Sequence, residues 1–139
     1  MIKIEPTTKE ETKEFEESVW RSVDMEHYGK LTEWKTAEFA FKATDDGEIV
    51  GSIIGRFEAG VLLIGSMLVR EDRRLHGIGK MLMDEAEKWG MQEGAHIIHL
   101  NTGEDWQARK FYEALGYRKV ADLKNYHFHK NFVIYEKLI

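Results

Sequence analysis

The chain has 139 residues, no cysteine and a formal net charge of −5. Disulfides, thiolate catalysis and cysteine-ligated zinc are therefore excluded, and the acidic balance argues against a nucleic-acid partner. Hydrophobic residues make up 42% and charged residues 32%, a balance that predicts one folded domain over residues 1–139.

No apolar run approaches the roughly 20 residues that span a bilayer. The start, Met1-Ile2-Lys3-Ile4-Glu5, is too short and polar for a signal peptide, so a soluble cytoplasmic protein with no membrane partner is expected. Met1–Glu5 alternates weakly and predicts a short first strand. Pro6, the only proline, follows, and Thr8-Lys9-Glu10-Glu11 fits a capping box. A helix is expected to about Val23, with Phe15, Val19 and Val23 on one buried face and Trp20 beside them. Asp24–Thr36 has weak periodicity. It reads as a short second helix plus loop, whose Met25, His27, Tyr28, Leu31 and Trp34 roof the core or line a cleft.

From Ala37 the period changes to two. Ala37, Phe39, Phe41 and Ala43 share a face; Asp45-Asp46-Gly47-Glu48 is a hairpin turn; Ile49–Phe57 returns. Glu58-Ala59-Gly60 turns again into Val61–Val69, the most apolar strand and the expected centre of an antiparallel meander. Ile78–Met91 is helical, with Ile78, Leu82, Ala86 and Trp89 buried, Met81 and Met83 filling gaps, and Asp84, Glu87 and Lys88 in water. His96–Leu100 is a buried strand, and the helical crossover before it implies a parallel neighbour. Asp105–Leu115 is a second helix, stopped at Gly116, and Tyr117–Ala121 and Asn131–Leu138 are the final strands.

Between Val61–Val69 and the first of these two helices lies Arg73-Arg74-Leu75-His76-Gly77-Ile78-Gly79-Lys80. A strand feeding a glycine-rich turn that opens a helix offers unpartnered N–H groups and a positive dipole end to an anion. Gly77 and Gly79 lack the Cβ that would hold a phosphate away. Arg70, Arg73, Arg74 and Lys80 cluster against only Glu71 and Asp72 in the local sequence. A Walker loop would need Gly at Arg74 and Ser or Thr at Met81, and a dinucleotide fingerprint would need Gly at Leu82. Neither is present. What remains is Arg-x-x-Gly-x-Gly, running from Arg74 to Gly79, between a central strand and an amphipathic helix.

This pattern resembles the coenzyme A site of the GNAT acetyltransferase superfamily. Met67-Leu68-Val69 is similar to the end of that family's fourth strand. Gln107-Ala108-Arg109-Lys110-Phe111-Tyr112-Glu113-Ala114-Leu115-Gly116-Tyr117 is similar to its second signature. The match is good from about Asp46 to Tyr117. The resemblance implies an α/β fold with a central mixed sheet, splayed between the family's fourth and fifth strands and flanked by helices. It implies acetyl-coenzyme A as co-substrate, with no metal, and transfer of its acetyl group to a primary amine.

By the same resemblance, pantetheine would pair with backbone groups of Met67, Leu68 and Val69, and an N–H of Val69 or Leu68 would receive the oxyanion. Pyrophosphate would rest on the N–H groups of Leu75, His76, Gly77, Ile78, Gly79 and Lys80, with charge from Arg74 and Lys80. Tyr112 would protonate the departing thiolate, a phenol of pKa near ~10 serving a thiol of pKa near ~8.5. Packing in the core is the alternative role for Tyr112. Asp105 stands where many members carry an Asn that holds the coenzyme, and Asn101 or Gln107 would substitute for it.

No carboxylate lies on Leu63-Ile64-Gly65-Ser66-Met67 to serve as general base. His99, Glu104, His127 and His129 are candidates by chemistry, with ordinary structural roles as the alternative for each histidine. His127 and His129 would share a strand face, but no third metal ligand accompanies them. The expected acceptor is a small amine; a protein amino terminus or lysine is the second choice. A non-catalytic coenzyme A-binding or protein-interaction module is the competing class. Sheet edges make a homodimer plausible.

Overall fold

The computed structural model describes residues 1–30 and 32–139; the reading made for Leu31 lies outside them. Two compact units make up the chain, Met1–Trp34 and Lys35–Ile139.

In the first unit, α1 runs from Lys9 to Tyr28. Thr8 caps it by accepting the Glu11 N–H at 3.2 Å, while the Glu11 carboxylate takes the Thr7 hydroxyl at 2.8 Å, so only half of the expected capping box forms. The helix runs past Val23 and ends at Gly29, whose φ of 71° suits a residue without Cβ and whose N–H closes on Met25 O. Among the described residues no short second helix follows. Asp24 is the buried residue of α1, and accepts from Thr32 Oγ1 and Trp34 Nε1, both at 2.9 Å. Phe15 and Val19, on the face expected to be buried, are 67% and 43% exposed. Met1–Glu5 forms no strand: no ladder includes it, and Ile2 and Ile4 are exposed.

The second unit is a six-stranded mixed sheet in the order β1-β2-β3-β4-β6-β5. Its strands are β1 Thr36–Asp45, β2 Glu48–Glu58, β3 Val61–Val69, β4 Ile97–Gly103, β5 Arg118–Leu123 and β6 Phe132–Leu138. The first three form the expected antiparallel meander. Its two tight turns take positive φ at Asp46-Gly47 and Ala59-Gly60, the twist that antiparallel hairpins favour. Helix α2, Ile78–Glu93, crosses from β3 to β4 and makes them parallel, as expected. Helix α3, Ala108–Ala114, is shorter than the expected Asp105–Leu115, because the chain turns through 104–107 before entering it.

Both helices cover one face of the sheet. Leu82, Met83 and Ala86 of α2 and Tyr112 of α3 join Leu62, Ile98, Leu100, Val133 and Tyr135 in one core. The α2 stripe differs from its expected form. Met83 is fully buried while Met81 is exposed, and Gly90 admits Leu62, whose methyl would stand 2.8 Å from a Cβ there. Glu87, expected in water, accepts Tyr117 Oη at 2.9 Å and Lys137 Nζ at 3.2 Å.

One irregularity in β3 sets which of its residues face the helices. Ile54 pairs with Ser66 but Gly55 with Ile64, so Gly65 is an extra residue in β3. Strict alternation from Leu62 and Ile64 would turn Ser66 and Leu68 toward the helices. The bulge resets the phase, so Met67 and Val69 pack on the core and Leu68 is 65% exposed on the other face.

Candidate functional site

Strands β3 and β4 pair only at Val61–Ile97, Leu62–Ile98 and Leu63–His99. Beyond that point β3 stays with β2 as far as Val69, while β4 stays with β6 as far as Gly103. The sheet therefore opens into a gap whose two walls are strand edges. Arg70 N–H bonds to Val50 O at 2.8 Å. By strand alternation the polar groups of Leu68, paired with Ser52, also turn toward β2, and those of Met67 and Val69 turn into the gap. On the other wall, Glu104 N–H bonds to Asn131 O. The same alternation turns the main chain of Asn101 and Gly103 toward the gap. Of the three backbone positions expected to pair with a ligand, Met67 turns both its polar groups into the gap, Val69 offers its N–H while its carbonyl accepts from Arg74 Nε at 3.3 Å, and Leu68 offers neither.

At the mouth of the gap the chain makes the turn singled out from sequence. Leu75 and Gly77 take φ of 67° and 80°, and Gly77 starts α2 with no side-chain cap and no acid in the first turn. Among the described residues, the six consecutive N–H groups from Leu75 to Lys80 have no acceptor in the chain; the next, Met81 N–H, bonds to Gly77 O. Six aligned donors at a positive dipole end form an anion cradle. The two glycines divide the work. A Cβ on Gly77 would meet nothing within 4 Å, so this residue is required by its backbone angle. A Cβ on Gly79 would stand 3.1 Å from the Phe111 ring and 3.6 Å from Met67 Cε, so its bareness lets α2 seat against α3 and β3.

The charge around the cradle departs from its expected form. Folding brings acids from elsewhere against the local cations. Arg70 pairs with Asp72 at 2.6 Å and Glu48 at 3.3 Å, Arg73 with Asp45 at 3.3 Å and Asp72 at 3.2 Å, and Lys80 with Asp84 at 2.7 Å. These exposed pairs raise the Arg70 and Lys80 pKa values and lower that of Asp72, in each case chiefly through the hydrogen bond to the partner. Asp45 and Glu48 come from the β1–β2 hairpin, far away in sequence. Arg74 is the one of the four cations with no carboxylate partner among the described residues; its Nε donates to Val69 O at 3.3 Å. It ties the loop to the end of β3.

Tyr112 is 6% exposed, wedged edge-on between Phe111 and Tyr117. Burial pushes its phenol above the ordinary value, which keeps the proton on at neutral pH. Its hydroxyl has no partner among the described residues, yet no fully enclosed side-chain polar atom is left unsatisfied. The oxygen therefore reaches solvent, with a proton to give. Asn101 is exposed on the face opposite the helices, and Gln107 is exposed before α3 without capping it. Asp105 is likewise exposed.

The four candidate bases separate. His127 and His129 lie in a short turn rather than on a strand. His127 packs edge-on against Phe132, and His129 Nδ1 is 2.8 Å from Asn125 Oδ1. Glu104 sits 3.5 Å from Lys124 Nζ. His99 is the last β4 residue paired to β3, half-buried on the face opposite the helices. Two aromatic residues escape a reading of the sequence: Trp106, which lies over Gly103, and Tyr126. The only cue was aromatic density from Tyr126 to Phe132.

A sheet splayed beside an uncapped helix start, with helices on one face, defines an α/β protein with an anion cradle opening onto a strand-edge cleft. The model of the acetyltransferase (GNAT) family matches residues 6–117, and the chain belongs to that family. Its fold is similar to that of an acetyltransferase from Bacillus cereus, at 24% identity over 99% of this chain and 98% of that one, with a TM-score of 0.79. It is also similar to an aminoglycoside 6′-N-acetyltransferase complexed with coenzyme A (23% identity, 73% and 72% covered, TM-score 0.66). A third is the ribosomal-protein-S18-alanine N-acetyltransferase from Escherichia coli (19% identity, 73% and 69% covered, TM-score 0.67).

Proposed function

We propose that this protein moves the acetyl group of acetyl-coenzyme A to a primary amine on a small molecule, by direct attack in a ternary complex within one domain spanning residues 1–139. The observation that carries the reading is the junction of two unsatisfied backbone surfaces: the N–H row Leu75–Lys80 and the free edge at Met67 and Val69. A diphosphate with an amide-bearing arm satisfies both at once, the first by anion binding and the second by strand addition. Family membership and the coenzyme A complex of the aminoglycoside enzyme support the same ligand.

In the reaction, the amine nitrogen attacks the thioester carbonyl carbon, a C–N bond forms and the C–S bond breaks. The Val69 N–H, aimed into the gap, stabilises the carbonyl oxygen as it gains charge. The Tyr112 phenol gives its proton to the departing thiolate. The acceptor approaches from the face that α2 and α3 leave open. The proton lost by the amine leaves to solvent on that face, because His99 at the vertex pairs with Leu63, six residues and roughly 20 Å along β3 from Val69, too far to take it directly. Calorimetry with acetyl-coenzyme A is the first test, and thiol release across an amine panel the second. Absence of acetyl-coenzyme A binding would sink the reading.

A further inference from the structure

On the sheet face opposite α2 and α3, four rings form a continuous wall. Phe132 is at its centre, with Trp106 at 5.5 Å, His127 at 4.9 Å and Tyr126 at 5.8 Å, all edge-on. Trp106 is 57% and Tyr126 45% exposed. The wall is continuous with the cleft. A Cβ on Gly103 would stand 2.5 Å from Trp106 Nε1, so the indole lies directly on the last residue of β4, whose main chain lines the gap. Asn101 is exposed on the same face of β4, and His99 is two residues further toward the vertex.

The loop that carries Tyr126 and His127 is held under strain. Asn125, Phe128 and His129 all take positive φ without being glycine, a backbone region that side chains disfavour. The strain persists because the loop is cross-braced. Asn125 N–H donates to Asn131 Oδ1 at 2.9 Å, Tyr126 N–H to Lys130 O at 2.8 Å, His129 N–H to Tyr126 O at 3.2 Å, and Lys130 N–H to His127 O at 3.0 Å. Rings held in fixed positions beside the open cleft are preorganised for a flat apolar partner. Among the described residues, the nearby carboxylate Glu104 is partnered by Lys124 and the exposed Asp105 stands alone, so no row of free acids is offered to a polycation.

We propose that this wall receives the acceptor's body, and that the acceptor is a primary amine on a short chain bearing an aromatic ring. The proposal rests on the acyl-transfer reading of the cleft. Trp106 and Tyr126 act as specificity residues that hold the ring while the amine reaches the thioester carbonyl at the Val69 end of the gap.

The test measures thiol release from acetyl-coenzyme A with phenethylamine and tryptamine against n-hexylamine, spermidine and a tetrapeptide with a free amino terminus. Phenethylamine or tryptamine should lead in kcat/KM by about tenfold or more. Trp106→Ala should raise the KM for phenethylamine about tenfold, more than it lowers kcat, and Trp106→Phe should restore most of the loss. The acetyl-coenzyme A affinity measured by calorimetry should stay the same in both variants. With that affinity intact, preference for n-hexylamine, spermidine or the peptide, no transfer to either aromatic amine, or an unmoved KM in Trp106→Ala overturns the wall alone. Loss of acetyl-coenzyme A binding in the unaltered protein overturns the cleft reading and the wall together.

Discussion

Leu63 on β3 and His99 on β4 are the last pair before the two strands part, and both side chains lie on the face opposite the helices. On the proposed reading the thioester oxygen sits on the Val69 N–H, six residues and roughly 20 Å along β3 from this vertex, so His99 is too far away to take the proton of the amine directly. His99→Ala should therefore leave kcat and acetyl-coenzyme A affinity within about twofold of the parent. A loss of kcat of about tenfold or more, partly restored by added imidazole, would make His99 the base and move the thioester toward the vertex.

Tyr112→Phe separates an acid from a packing residue. The hydroxyl has no partner among the described residues, so its loss orphans nothing there and the ring contacts with Phe111 and Tyr117 remain. Thermal stability should hold, while turnover falls by about tenfold to a hundredfold. Because burial raises the phenol pKa, the donor stays loaded through mildly alkaline pH. A variant with normal turnover would leave Tyr112 as core alone.

The repeating elements of the sheet unit were legible because side-chain period reports backbone conformation directly. Val61–Val69 matches β3 residue for residue, and the helix opening at Ile78 begins where the glycine turn predicts. What stayed hidden depends on contacts distant in sequence. Met1–Glu5 has the pattern of a strand, but a strand exists only where a partner edge does. The four cations near the cradle read as a positive surplus until Asp45 and Glu48 folded back onto Arg73 and Arg70. The phase reset at Gly65, which decides that Met67 and Val69 face the core, leaves no signature in a run of apolar residues. The cradle was legible because its chemistry lies in consecutive backbone groups. The vertex at His99 was not, because it is a property of two strands.

The two glycines of the turn should fail differently. Gly77 needs its positive φ and has open space around it, so Gly77→Val should distort the N–H row while the fold survives. Acetyl-coenzyme A affinity should drop by about tenfold or more, the scale of losing one or two charge-assisted hydrogen bonds. Gly79→Ala drives a methyl toward the Phe111 ring, so its first effect is on stability, about 1–3 kcal/mol by denaturant unfolding. Normal coenzyme affinity in Gly77→Val would refute the cradle.

Arg74 is tied to Val69 O and pairs with no acid among the described residues, whereas Arg70, Arg73 and Lys80 are already paired with neighbouring carboxylates. Arg74→Ala should weaken acetyl-coenzyme A binding more than Arg70→Ala or Arg73→Ala, by about tenfold, with a shallower salt dependence. Equal effects from all three would mean that the loop acts only as a diffuse charge.

Tyr117 joins α2 to the carboxy-terminal strands through its bond to Glu87, which Lys137 also holds. Burial, with the Glu87 carboxylate second, pushes the Tyr117 phenol far above its ordinary value, and burial also raises Tyr112 and Tyr135. A phenol whose folded pKa lies above its unfolded one stabilises fully below the unfolded value of about 10 and loses that contribution as pH climbs past it. The unfolded chain then releases protons that the folded chain keeps. Stability by denaturant unfolding should therefore fall from about pH 10 upward, and Tyr117→Phe should flatten that fall while losing the Glu87 bond at every pH. A variant that falls as steeply as the parent would show that Tyr117 does not carry the alkaline transition.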